Sequence, residues 1–309
     1  MKELEFTVGD DDVAIGRLDR IVLAHAPGST RALVAECFLR HGVTSDGRPA
    51  GKADRPSAGA RIAVSGLAEI SDRTVKAEDG PLDVVWEGAG LVAVDKPAGQ
   101  PCHPVSVGET GTLASVLLGR YPEMAGVGGA PLMPGLLHRI DAGTSGLVLA
   151  ARSQAVFDAV RAQFTAHEAR KVYLAEAVGR VDRPGGVSGL LAHSTSFRGR
   201  MRCVAGAALP GKERAMFAET FYRPLEIRRD TTLLEVTILT GVTHQIRCQL
   251  ASIGHPIIGD TTYGAPAPLA GPLGPFHRLH ALSASFVPPG ADAPFTVRTP
   301  PPDWAAVSP

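Results

Sequence analysis

Residues 136–151 read "LLHRIDAGTSGLVLAA". Leu147 to Ala151 is an unbroken apolar run of strand length, which predicts a strand buried on both faces. The Gly143-Thr144-Ser145-Gly146 turn feeds it, and the polar centre His138, Arg139 and Asp141 sits at its mouth. Outward from here, similar runs recur as "GLVAVDKP" (90–97), "KVYLAEAVG" (171–179) and "LLEVTIL" (233–239). In the last, Leu234, Val236 and Ile238 alternate with Glu235 and Thr237, as a strand with one buried face requires. Helical patterns fall between them. "SQAVFDAVRAQFTAHEA" (153–169) has Ser153 as cap and Val156, Val160 and Phe164 as its apolar stripe. "HQIRCQLASIG" (244–254) reads as a shorter helix ended by Gly254. Strands dominate without regular alternation with helices, which predicts an α+β domain built on a mixed, largely antiparallel sheet.

The bulk numbers narrow the class. With 309 residues, 44% hydrophobic and 20% charged, the chain is globular and long enough for two domains. No apolar run approaches the roughly 20 residues of a membrane helix, and the polar start "MKELEFTVGDDD" is no signal peptide, so a cytoplasmic protein is expected. The four cysteines (Cys37, Cys102, Cys203, Cys248) never form Cys-x-x-Cys and the ten histidines show no metal spacing, so no metal is expected. Lysine plus arginine equals aspartate plus glutamate at 31 each, yet the charge is uneven. Residues 17–64 hold eight bases against four acids, and 196–214 carry Arg198, Arg200, Arg202, Lys212 and Arg214 against Glu213 alone. Local basic patches on a neutral chain suit a polyanion engaged at defined surfaces.

The first 75 residues have their own logic. "RLDRIVLAH" (17–25) and "GSTRALVAECFLRHG" (28–42) read as two helices, the second capped by Ser29, with Leu33, Val34, Cys37 and Phe38 on one face. "SDGRPAGK" (45–52) and "ARIAV" (60–64) follow as a turn and a strand. Arg17-Leu18-Asp19, Ser29-Thr30-Arg31, Gly42-Val43 and Asp46-Gly47 resemble the small α/β RNA-binding module named after ribosomal protein S-four. That resemblance implies that Arg17 and Arg31 face structured RNA, with Asp46 standing where the module usually has Asn. "KAEDGPLD" (76–83), polar with a Gly-Pro break, is the expected linker, which leaves 84–309 as the second domain.

Four ordered motifs in that second part are specific: "VDKPAGQPCHP" (94–104), "HRIDAGTSG" (138–146), "ARKVYLAEAVG" (169–179) and "TGVTHQIRCQLASIGHPIIGDTTYG" (240–264), with "FHRLHALSASF" (276–286) closing the series. Together they resemble the RluA-type pseudouridine synthases. The resemblance implies isomerisation of uridine in structured RNA, ribosomal before transfer RNA, by a monomer that uses no cofactor. It assigns Asp141 as the catalytic carboxylate, Arg247 as the cation that keeps it ionised in an apolar pocket, and Tyr173 as the ring stacked on uracil. Arg139 is expected to open the RNA, because a uridine in a stack must be flipped out to be reached. His138, Thr144, His244 and Ile246 complete the expected substrate-binding set. Asp141 has three ways to act: on the ribose, on the base, or by assisting elimination. Val242 stands where the family commonly has Arg, and Cys248-Gln249 where Val-His is common. A catalytically silent RNA-binding relative is the rival reading, against which the intact Asp141, Tyr173 and Arg247 argue. A serine hydrolase is excluded because no nucleophile elbow surrounds Ser145.

Overall fold

The computed structural model describes residues 2–69, 74–105, 108–197, 199–204, 215–265 and 276–307. Arg198, Lys212, Glu213 and Arg214 of the basic stretch lie outside them. The chain divides into two compact units, residues 1–75 with 105–109, and residues 76–104 with 110–309.

The smaller unit runs β1 (Lys2–Thr7), α1 (Asp10–Ile15), α2 (Leu18–His25), α3 (Arg31–Leu39), β2 (Val43–Ser45), β3 (Arg48–Pro49) and β4 (Arg61–Leu67). Its antiparallel sheet has the order β1-β4-β2-β3. Leu18 and Val22 of α2, Val34 and Cys37 of α3, and Val43, Ile62 and Val64 of the sheet form one core. Asp46 and Gly47 both have positive φ (49° and 77°), as the two-residue β2–β3 hairpin demands. Asp46 also accepts from the Arg61 N–H at 2.9 Å, which ties the hairpin turn to the start of β4. The cap of α3 is Thr30, whose hydroxyl accepts from Leu33 N–H; Ser29, expected there, instead donates to Ala68 O. Only tertiary contact could separate two adjacent hydroxyls that cap equally well. The strand β1 was not legible either, since its side chains are mostly exposed and it is defined by pairing with β4.

The larger unit runs β5 (Val84–Gly88), β6 (Leu91–Lys96), α4 (Leu113–Arg120), β7 (Ser145–Ala151), α5 (Gln154–Thr165), β8 (Arg170–Val178), β9 (Gly185–His193), β10 (Met201–Val204), β11 (Ala215–Ile227), β12 (Thr231–Ile238), α6 (Gln245–Ser252), β13 (Leu279–Phe286) and β14 (Phe295–Arg298). Among the described residues its sheet has the order β10-β9-β11-β12-β8-β13-β7-β6-β5, with β14 beside β13. Pairings are antiparallel except β13 with β7, so the α+β, mixed and largely antiparallel architecture holds. The apolar run of β7 is central and buried from Gly146 to Ala151. Gly146, at φ 106°, faces the Ala281 backbone across the parallel pair, where a Cβ would collide.

The segment 76–83 is not a free linker. Glu78 N–H donates to Ser115 O at 3.0 Å, Glu78 Oε2 accepts from Gly111 N–H, and Gly80 lies against Val116. Polar composition and a Gly-Pro break signalled a connection, but α4 supplies partners that bind it to the larger unit.

Candidate active site

Asp141 lies on the loop before β7, and its position is over-determined by backbone bonds. Thr144 N–H donates to Asp141 O at 3.0 Å, closing a turn over Ala142 and Gly143. The Ala142 carbonyl accepts from Gly99 N–H at 2.7 Å and from Lys96 Nζ at 3.2 Å. Lys96 is fully buried and also donates to Pro97 O and Gln100 O, both at 2.8 Å. Burial draws its ammonium down to about 8, against the opposing pull of Cys102, Asp141 and Asp95. Cys102 Sγ donates to Ile140 O at 3.2 Å and lies 3.4 Å from Ile140 N. Lys96 and Cys102 thus clamp the loop on both sides of Asp141. The sequence flagged "VDKPAGQPCHP" as a motif without assigning those two residues a task.

Arg247, in the first turn of α6, donates through Nη1 to Asp141 Oδ2 at 2.8 Å. Behind it stands Asp260, whose two oxygens accept from Arg247 Nε at 2.6 Å and Nη2 at 2.9 Å. The guanidinium fork therefore spans two carboxylates, one buried and one open. Asp260 is 1% exposed in its side chain, whereas Asp141 is 26% exposed and can be reached from outside. Burial alone would weaken the Arg247 charge, but the Asp260 hydrogen bonds and both carboxylate charges outweigh it and hold the cation firmly protonated. Asp260 falls in the motif 240–264, where the sequence assigns it no task. It is the partner that keeps Arg247 aimed, and nothing local in "IIGDTTYG" reveals that.

Tyr173 on β8 is buried, and its phenol is pushed well above its ordinary range by burial, then by the charge of Asp141. It is a neutral ring beside the carboxylate and a poor base. His244, at the start of α6, takes a left-handed φ of 54°, with Nε2 3.8 Å from Asp141 Oδ2. Tyr263 Oη accepts from Met201 N–H at 2.9 Å and meets His244 Nδ1 at 3.0 Å. The phenol proton therefore goes to Nδ1, which leaves the His244 Nε2–H facing Asp141. Burial lowers the imidazole below its usual range although Asp141 pulls the other way. Ile246 is buried beside them in α6.

Arg139 is exposed and stretches between His103 Nε2 (3.0 Å) and Thr243 Oγ1 (3.4 Å). His103 Nδ1 lies 3.0 Å from Pro104 O and donates to it, so Nε2 is left as the acceptor that Arg139 needs. Two expected substrate contacts face inward instead. His138 Nε2 accepts from Leu149 N–H at 3.1 Å and the ring stacks on Phe164. Burial, with the nearby cations Lys171 and Arg161, takes its imidazole down to about 3, so it braces β7 as a neutral acceptor. Thr144 is buried and bonds His277 Nε2 at 2.8 Å. His138 thus bonds backbone around the site, as expected of a histidine there, whereas Thr144, which shares the Asp141 motif, is turned into the core. Arg17 and Arg31 belong to the smaller unit, where Arg17 pairs with Asp19 at 3.0 Å and Arg31 is exposed at the start of α3.

The two departures at 242 and 248–249 fit their surroundings. Val242 packs on the cluster formed by Leu191, Met201, Ala218, Cys248 and Tyr263. Gln249 accepts from Thr220 Oγ1 at 2.7 Å and donates to Ala218 O at 2.9 Å, pinning α6 to β11.

His280 extends this framework. Thr299 Oγ1 donates to Ala281 O, so it accepts from His280 Nε2, and His280 Nδ1 accepts from Ser145 Oγ at 2.9 Å. Burial holds this imidazole at about 4. Its folded value lies below the ordinary 6.5, so the unfolded chain binds the proton first as pH falls. The stability it provides is complete above about pH 6.5 and is lost towards pH 4. Urea unfolding at pH 7 and pH 5 checks this: His280→Gln should remove about 2 kcal/mol of the difference between the two. An unchanged difference would contradict the neutral assignment.

The family model described as RNA pseudouridylate synthase matches residues 90–252. Ribosomal large subunit pseudouridine synthase D of Nitrosomonas europaea is 34% identical over 266 residues, covering 86% of this chain and 73% of that protein. The protein of the same name from Xanthomonas campestris is 32% identical over 311 residues, covering 97% and 90%. The solved structure of human RNA Pseudouridylate Synthase Domain Containing 1 matches 72% of this chain and 86% of its own, at 25% identity and a TM-score of 0.55. Sequence over more than half of the chain and fold over most of it agree, and the chain belongs to the RNA pseudouridylate synthase family, in its RluA-type branch, whose reaction converts uridine in RNA to pseudouridine.

Proposed function

We propose that this chain isomerises specific uridines of large-subunit ribosomal RNA, with Asp141 as the reacting carboxylate. The observation that carries the reading is the 2.8 Å Arg247–Asp141 ion pair, anchored from behind by buried Asp260. The reaction breaks the C1′–N1 bond, forms C1′–C5, and exchanges the hydrogen on C5 for one on N1, so it is redox-neutral. Whether the carboxylate acts on ribose, on the ring, or by assisting elimination, each route needs a charged oxygen that substrate can touch. An exposed edge of Asp141 above a buried cation supplies one. Tyr173, neutral and buried, offers a ring for the flipped uracil to lie against. The names of the bacterial relatives support ribosomal over transfer RNA. In the smaller unit, the exposed Arg31 and the hairpin unit around it would contact RNA phosphates.

The direct test is release of tritium from RNA labelled at uracil C5, on large-subunit ribosomal RNA and on bulk transfer RNA. Release from the ribosomal RNA is expected. Release from transfer RNA alone would overturn the substrate, and release from neither, with RNA bound, would overturn the activity.

Arg139, held over the site edge by His103 and Thr243, is the candidate for entering the vacated stack. Flipping costs a few kcal/mol in folded RNA and little in an unpaired strand. Arg139→Ala should therefore lower kcat/KM about 30-fold or more on a folded fragment and less than about 5-fold on an unstructured oligonucleotide. Equal losses on both would remove Arg139 from this role.

A further inference from the structure

The four cysteines divide into two kinds. Cys37 and Cys102 are buried, with their sulfurs on the carbonyls of Ser65 and Ile140. Cys203 and Cys248, 45 positions apart in sequence, face each other with Sγ to Sγ at 3.8 Å. Cys203 is exposed on β10, which among the described residues stands at the end of the sheet with β9 as its neighbour. Cys248 is buried in the first turn of α6, directly after Arg247, with its N–H on His244 O at 2.8 Å. Met201 and Cys203 project from the same face of β10 towards α6, as alternation on a strand requires.

We propose that Cys203 and Cys248 form a redox modification site, which a peroxide closes into an intramolecular disulfide between β10 and α6. A disulfide bond is about 2.05 Å long, so the sulfurs must approach by only about 1.8 Å. Among the described residues β10 pairs with β9 alone, and a strand held so can supply that movement more easily than a helix pinned through Gln249 and Arg247. The roles of the two sulfurs follow from their surroundings. The hydrogen bond with the Cys248 thiol, 3.8 Å away, and a smaller contribution from nearby Ser252 draw the exposed Cys203 thiol below the usual range, although burial works the other way. It is the sulfur that meets oxidant first. Its thiolate attacks one peroxide oxygen, the O–O bond breaks, and the departing hydroxide leaves with the thiol proton as water. The Cys248 sulfur then attacks the resulting sulfenic acid, the S–O bond breaks, and a second water departs. Two thiols and one peroxide become one disulfide and two waters. The product ties the strand that carries Met201, whose N–H holds Tyr263, to the helix that carries Arg247.

The test treats the full chain with hydrogen peroxide at micromolar concentration, then counts free thiols and maps peptides without reduction. Two of the four thiols should disappear, the mass should fall by two hydrogens, and one linked peptide pair should join Cys203 to Cys248. Dithiothreitol should restore all four thiols. In Cys248→Ser the sulfenic acid on Cys203 should persist and be trapped by dimedone, and in Cys203→Ser the Cys248 thiol should stay reduced. Retention of four thiols under conditions that oxidise free glutathione would overturn the proposal. So would sulfinic acid on Cys203 beside an intact Cys248 thiol.

Discussion

Asp141→Asn is expected to lower tritium release from large-subunit ribosomal RNA by at least about 10³-fold while leaving the protein folded. The substitution keeps the shape and removes one negative charge at the only carboxylate of the Arg247 pair that is open to substrate, with 26% of its side chain exposed. The loop will hold, because its position depends on backbone bonds: Thr144 N–H to Asp141 O, Lys96 and Gly99 to Ala142 O, and Cys102 on Ile140. Arg247 also keeps both bonds to Asp260 and is not left as an unpaired buried cation. Thermal unfolding should therefore shift by no more than about 3 °C, as expected for one partly exposed pair in a domain this size. Activity within tenfold of the parent protein would end the assignment of Asp141. A collapse of stability together with activity would instead show that the carboxylate is structural.

Arg247→Met should show the opposite balance, with stability and activity lost together. Asp260 is 1% exposed and its two oxygens are both satisfied by Arg247, so removing the guanidinium strands a buried charge. Breaking such a pair from one side costs about 3–5 kcal/mol, whereas replacing both partners is far milder. Urea unfolding should show that loss for Arg247→Met, and the double variant Arg247→Met with Asp260→Asn should recover more than about half of it. Activity should fall by more than about 10²-fold in both, since Asp141 loses its cation in each. A single variant within 1 kcal/mol of the parent would mean that the Arg247–Asp260 pair is not the anchor that its burial implies, on the scale of about 3–5 kcal/mol for such pairs.

The strands were legible because burial leaves a period in the chain. Leu234, Val236 and Ile238 alternate with Glu235 and Thr237, and β12 follows that pattern. The helix α5 buries Val160 and Phe164 as its stripe requires, although Ser153 makes no side-chain bond as its cap. The Asp46-Gly47 hairpin was legible because two consecutive positive φ values suit few residue pairs. What escaped depends on neighbours distant in sequence. Ser29 and Thr30 are equal caps until Ala68 takes one of them, and the segment 76–83 is a linker until Ser115 and Gly111 bind it.

The same division runs through the site. The residue types at His138, Arg139, Asp141, Tyr173, His244 and Arg247, and their order along the chain, are properties of the sequence. Through the family resemblance they imply that Asp141 and Arg247 belong together, since an apolar environment tolerates a charge only beside its opposite. Direction is a property of the folded chain. Asp141 points outward while Thr144, three residues on, is buried against His277, and Arg139 lies exposed while His138 braces β7. A turn reverses side-chain direction within one or two residues, and no spacing rule records which way it goes. Asp260 took its meaning only when α6 brought Arg247 against it from 13 positions away. Its role is a contact between buried groups, and a contact exists only once the sheet and the helix have packed.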